Sequence, residues 1–205
     1  MIYRLKDNVK ILTIIIFVIL LSVFLTINVS GLFYWIAIQH FHLRQISGLS
    51  SASLMKCYFF MLRYLQVPWD SHLNLEFFRS SQKGLAHFRD VRHLIMANNL
   101  CLIVLGVVSH MLIKQLIKKD LLWKLINPFK IFLTFILVIM SIALVNFQNF
   151  FIKFHQVMFR NRDWVFSVRL DPVIKVLPTG YFAWCLIGFI ACLTLISTLI
   201  IHYSK

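Results

Sequence analysis

Four long apolar runs, at about residues 11–32, 94–113, 129–150 and 181–201, leave this chain few folds to choose from. Each is close to the ~20 residues an α-helix needs to cross hydrocarbon. In that medium every peptide N–H and C=O must be satisfied within the structure, which leaves helices or closed barrels. With 60% hydrophobic and 14% charged residues over 205 positions, the chain is too apolar for an ordinary soluble domain. The expectation is an all-α integral membrane protein, residues 1–205 forming a single membrane domain of four transmembrane helices.

The first run follows Arg4, Lys6 and Lys10, as a secretory signal would. It is longer than the usual apolar region of about 7 to 15 residues and lacks a convincing small-residue cleavage site, so it reads as a retained anchor. Orientation is read from short loops, because long ones cross the membrane almost regardless of charge. Lys114, Lys118, Lys119 and Lys124 crowd the short middle loop, which places that loop and both termini in the cytoplasm. The longer connections, residues 33–93 and 151–180, then form a small extracytoplasmic cap. They hold seven and five of the 21 Lys and Arg residues, so the assignment rests on charge density and not on total count.

A net charge of +14 would point to nucleic acid in a soluble protein. Here the charges flank hydrocarbon, so membrane lipids with anionic headgroups are the expected partners, with no nucleic acid and no obligate protein partner. Cys101, Cys185 and Cys192 lie in the apolar runs and only Cys57 lies outside, so no intramolecular disulfide is available to staple the cap.

Within the cap, residues 54–66 place Lys56, Arg63 and Gln66 near one helical face with aromatic and aliphatic residues elsewhere, the pattern of a helix lying in the interface. Pro68 should end it. Residues 47–51 and 80–84 are turn-like. Aromatic residues gather at the same boundary, among them Tyr34, Tyr58, Phe88, Phe151, Phe159, Trp164 and Phe166. Trp and Tyr suit an interfacial belt, whereas the surplus of Phe suits a pocket for acyl chains.

His87 stands about seven residues before the second run and His155 about five after the third, so topology brings both to the hydrocarbon edge on one face. Histidine exchanges protons near neutral pH and is the usual general acid or base, although a lone interfacial His can equally satisfy a structural hydrogen bond. Asp90, three residues after His87, could orient its imidazole or pair with Arg89 or Arg92. Asp163 and Trp164 stand in a similar relation to His155, with Arg160 and Asn161 as candidate oxyanion or headgroup donors.

Other chemistries find little support. His40 and His42 alternate, but no His-Glu-x-x-His signature occurs, and no metal site is expected. There is no Gly-rich phosphate loop and no Gly-x-Ser-x-Gly elbow, so neither a nucleotide nor any other cofactor is expected. Asn28, Asn98, Asn99, Asn146 and His110 are polar but uncharged, and fit helix-to-helix hydrogen bonding better than an ion-coupled transport path.

At these residues the chain resembles a known family, the lipoprotein intramolecular transacylases of Gram-positive bacteria. The likeness covers nearly the whole chain in topology. It is sharpest in the segment from His87 to Arg92, in Phe154 and His155 with Phe159, Asn161 and Trp164, and in Asp171-Pro172 with Leu177-Pro178 and Phe182. The family often carries a Glu after the second of those prolines, where this chain has Thr179.

The resemblance implies four transmembrane helices with an extracytoplasmic cap in a bacterial cell membrane, and an active site where cap meets bilayer. It implies a diacylglyceryl-cysteine lipoprotein as substrate, whose sn-2 acyl chain moves to the α-amine of the same cysteine to give a lyso-form lipoprotein. It also implies that His87 and His155 are the catalytic pair. Amine and ester then belong to one molecule, which accounts for the absence of a nucleophile motif. His155 is read as general base and His87 as its partner or the acid, with the roles exchangeable. Arg89, Arg160 or Tyr58 could steady the oxyanion, and Asp90, Asn161 and Trp164 could support the site. The rival readings are a non-enzymatic accessory or lipid-binding membrane protein, and a hydrolase that releases free fatty acid.

Overall fold

The computed structural model describes residues 2–70 and 72–205, with side chains described from Asp7 onward; those of Arg4 and Lys6, part of the basic flank above, lie outside the described residues. Among the described residues seven α-helices follow one another: α1 (Ile2–His40), α2 (Leu43–Ser47), α3 (Ser51–Gln66), α4 (Gln82–Lys118), α5 (Ile126–Val145), α6 (Phe147–Met158) and α7 (Thr179–Tyr203). Short 3₁₀ turns at Leu122–Leu125 and Pro172–Lys175 precede α5 and α7, and no strand occurs among the described residues. Among the described residues four helical segments are long and apolar enough to cross a membrane: Asp7–His40, Gln82–Lys118, Leu122–Val145 and Thr179–Tyr203.

The chain forms two compact units. The first comprises residues 1–26, 98–145 and 187–205. Its core joins Ile14 and Val18 of α1 to Leu116 of α4, Leu125 and Phe129 at the start of α5, and Leu193 of α7. The opposite faces are also apolar: Leu100, Ile103, Val107 and Met111 on α4, and Ile131, Phe135, Val138 and Ile142 on α5, are all more than half exposed. An apolar stripe repeated at helical spacing on the outside of a unit suits lipid, not water. Several polar groups in this unit are paired within it. The hydroxyls of Ser22 and Thr26 donate to the carbonyls of Val18 and Ser22, and Asn98 donates from α4 to the Leu20 carbonyl of α1 at 3.4 Å. Lys124 binds Asp7 at 2.8 Å.

The second unit comprises residues 27–97 and 146–186, and so gathers the two long connections. Ser50 starts α3 by accepting from the Ser53 N–H, and Pro68 forces its neighbour Val67 into an extended conformation (φ −95, ψ 117) that ends it. Leu54, Cys57, Tyr58, Met61, Tyr64 and Leu65 recur at helical spacing and are the buried face of α3. All of these but Cys57 join a core with Tyr34, Ala37 and Ile38 of α1, Leu43 of α2, Phe88 of α4, and Val173, Val176, Leu177 and Tyr181 around the start of α7. The polar face of α3 is paired: Lys56 with Glu76 at 2.7 Å and Arg63 with Asp70 at 2.8 Å. Arg92 lies over the Tyr64 ring and donates to the carbonyls of Val67, Pro68 and Asp70, which holds the chain leaving α3 against α4.

The apolar run at 129–150 is not one helix. Asn146 adopts φ −135, ψ 68, and its side chain accepts from the Asn149 N–H, which ends α5 at Val145 and begins α6. An Asn side chain competes with the helical ladder and is better used as a cap. Hydropathy alone does not register such a break.

Candidate active site

His87 lies in the second turn of α4 and His155 in the last turn of α6, both within the second unit. Their ring centroids are 5.7 Å apart at an interplanar angle of 41°. Only 8% of His87 and 9% of His155 is exposed. Phe159 lies 4.9 Å from His87 and 5.6 Å from His155, and Phe166 lies 5.5 Å from His87. Phe151 and Trp164 approach His155 at 4.2 and 5.1 Å. Two proton-exchanging rings thus meet inside an aromatic enclosure.

The hydrogen bonds distinguish them. His155 Nδ1 is 2.7 Å from the carbonyl oxygen of Phe151, one helical turn earlier. A carbonyl can only accept, so Nδ1 donates and the neutral ring presents its lone pair at Nε2. Burial holds the His155 imidazole below its ordinary pKa, an effect that the bond to Phe151 opposes without cancelling. The His155 imidazole is therefore neutral at neutral pH. His87 Nδ1 is buried without a hydrogen-bond partner. A buried polar atom of this kind marks a place that packing alone does not explain.

Asp90 does sit one turn after His87, because α4 begins as early as Gln82. Its carboxylate accepts from the Asn161 side-chain amide at 2.9 Å, while Arg92 is engaged with the loop after α3. The Asn161 side-chain oxygen accepts from the Asp163 N–H, and its backbone carbonyl from the Trp164 indole. Asn161 thereby links α4 to the ring that lies on His155. Arg89 and Arg160 are exposed. Tyr58 stands apart from the histidines: its hydroxyl bonds Ser30 at 2.7 Å and Tyr181, its ring stacks on Tyr34 at 4.2 Å, and burial pushes its phenol up to about 12.

Sequence reasoning missed two parts of this arrangement. One is the Phe151 carbonyl, which carries no residue-type signal. The other is Asp171, only 3% exposed, which accepts from the N–H and hydroxyl of Ser81 at the start of α4. The turn-like Ser80-Ser81 and the Asp171-Pro172 pair were visible separately, but nothing in the spacing joins them.

A family profile described as lipoprotein intramolecular transacylase matches residues 8–182. The chain belongs to this family. No curated protein matches it significantly. Among solved structures, the membrane-integral lipoprotein intramolecular transacylase from Bacillus cereus is similar, with 22% identity, a TM-score of 0.81, and coverage of 95% of this chain and 92% of that one. Two variants of that protein, with a histidine replaced by arginine or by alanine, give 21% identity and TM-scores of 0.80 over 99% of this chain and 92% and 94% of theirs. The fold is therefore that of the membrane-integral transacylases. This chain is an acyltransferase of lipoprotein processing and a multi-pass membrane protein.

Proposed function

We propose that this transacylase moves the sn-2 acyl chain of a diacylglyceryl-cysteine lipoprotein to the α-amine of the same cysteine, on the extracytoplasmic face, by histidine acid–base catalysis. The observation that carries the reading is the buried pair of imidazoles, one of them held with Nε2 free. The α-amine, with a reference pKa of about 7.7 to 8, attacks only when unprotonated. His155 Nε2 takes a proton from the nitrogen as it bonds to the ester carbonyl carbon. The carbon–oxygen bond to glycerol then breaks, and the proton taken up by His155 passes by way of the adjacent His87 to the departing oxygen, so that both imidazoles end neutral. One amide and one hydroxyl replace one amine and one ester, so the mass of the lipoprotein is unchanged.

The enzyme supplies no nucleophile because the substrate holds both reacting groups. Folding the substrate so that nitrogen meets carbonyl draws on the roughly 7 to 11 kcal/mol available from good positioning. Phe151, Phe159, Trp164 and Phe166 crowd the imidazoles with apolar surface. That surface suits an acyl chain and disfavours water as a competing nucleophile. Asn161 and Trp164 support the walls, and the exposed Arg89 and Arg160 are available to phosphate headgroups or to the oxyanion.

The test is intact-mass and fragment-ion spectrometry of the amino-terminal peptide of a diacylglyceryl lipoprotein, produced beside this chain and beside its His87→Ala and His155→Ala variants. The expected result is an unchanged mass with one acyl group on the cysteine nitrogen, dependent on both histidines. Loss of one acyl mass without N-acylation would make the protein a hydrolase, and no change would make it an accessory factor.

A further inference from the structure

The first turn of α4 is built from a distant residue. Ser81 is the N-cap, and its hydroxyl oxygen accepts from the N–H of Gly84 at 3.0 Å. In a capping box the residue three places after the cap is Glu or Gln, whose side chain reaches back to the N–H of the cap residue. Here that place is held by Gly84, which has no side chain. The acid comes instead from Asp171, 90 residues along the chain, which accepts from Ser81 N–H at 2.7 Å and from Ser81 Oγ–H at 2.8 Å. A Cβ at Gly84 would run into the Asp171 carboxylate. Glycine inside a helix is disfavoured against alanine, so its presence here goes with the space the carboxylate occupies.

Asp171 also closes one end of a strap. Residues 159–171 carry Phe159 and Phe166 onto His87 and Trp164 onto His155. The strap is tied to α4 on both sides of His87, by Asp171 to Ser81 and by Asn161 to Asp90. The Asp171 tie is made by a buried carboxylate and is doubly bonded, while the Asn161 tie is a single exposed bond.

We propose that Asp171 is the positioning residue of the site: by completing a capping box in trans, it fixes the turn of α4 that carries His87 against the strap that carries the aromatic walls. This inference rests on His87 taking part in acyl migration. A local acid could cap the helix equally well, but it would leave the strap untied. Helix capping and strap attachment are therefore separable by mutation.

The experiment compares Asp171→Ala with the double variant Asp171→Ala/Gly84→Glu, which restores a capping box within α4. Acyl migration is followed by mass spectrometry on a diacylglyceryl peptide in lipid, alongside thermal unfolding of each protein. Asp171→Ala should lower kcat by about 10²-fold, the scale of an ångström-sized misplacement, with KM little changed. The double variant should regain the unfolding temperature without regaining kcat. Full kcat in folded Asp171→Ala, or recovery of kcat together with stability in the double variant, would overturn the proposal. Should Asp171→Ala not fold, Asp171→Asn, which keeps the shape but cannot accept both bonds, replaces it under the same criteria and should lower kcat to a smaller extent. A His87→Ala protein with undiminished kcat would instead overturn the reading of the dyad, an outcome independent of every Asp171 result.

Discussion

His155→Asn is the substitution that isolates proton transfer from architecture. Asparagine places an amide N–H near the position of Nδ1, so the bond to the Phe151 carbonyl, 2.7 Å in the native protein, can be kept. It has nothing that titrates where Nε2 stood. A positioned general base contributes about 10²- to 10⁴-fold, so the barrier should rise by roughly 3 to 5 kcal/mol. The structural loss is one of ring packing. The ring leaves its nearest contacts, Phe151 at 4.2 Å and Trp164 at 5.1 Å, which contribute about 0.5 to 1.5 kcal/mol each, and its longer ones with Phe154 and Phe159 at 5.6 Å. The variant should therefore remain folded well below its unfolding temperature while migrating acyl chains at least about 10²-fold more slowly. The assay is the time course of N-acyl against O-acyl peptide by fragment-ion spectrometry, under saturating substrate. A folded His155→Asn protein working within a few-fold of the native rate would refute the assignment of the base.

The pH profile should break twice. As pH falls below about 7.7 the rate should drop tenfold per unit as the amine takes up its proton, and the second, steeper limb should begin only below about 6.5, because burial keeps His155 neutral beyond its ordinary range; a second break at or above 6.5 would contradict this. The same depression makes the His155 contribution to folding stability present above about pH 6.5 and progressively lost as pH falls from there through the lower folded value, measurable by thermal unfolding against pH. Leu54→Ala, at a fully buried position in the second unit, should cost about 2 to 5 kcal/mol of stability in a melting experiment while leaving kcat of the folded protein unchanged. Tyr58→Phe removes a hydroxyl bonded to Ser30 and Tyr181 and should cost about 1 to 3 kcal/mol with little change in kcat; a loss of rate on the scale of the histidine variants would return Tyr58 to the oxyanion role read from the sequence.

Much of the architecture was legible because hydrocarbon permits so few solutions. Four apolar runs near 20 residues long could only be helices or barrel strands, and their length excluded strands. The grouping of Lys56, Arg63 and Gln66 near one face marked α3 as an amphipathic helix, and Pro68 announced its end, while the residues it buries were seen only in the fold. The two histidines were found by counting from the ends of apolar runs, which measures depth along a helix. Their approach to 5.7 Å is a lateral fact, which depth does not contain.

What the sequence determined by itself is therefore whatever follows from transfer free energy and local backbone preference: an all-α membrane protein with four long apolar helices, and an amphipathic helix in the first long connection. Tertiary structure alone decided which side chains meet. The apolar run through Asn146 became two helices, Tyr58 joined Ser30 and Tyr181 in the core, and Asp171 reached Ser81 across 90 residues. Hydrogen bonds between distant segments leave no periodic trace, because each partner alone is an ordinary polar residue in a turn. Only when the helices pack does a buried carboxylate have to find its donors, and only then does the place of His87 become determined.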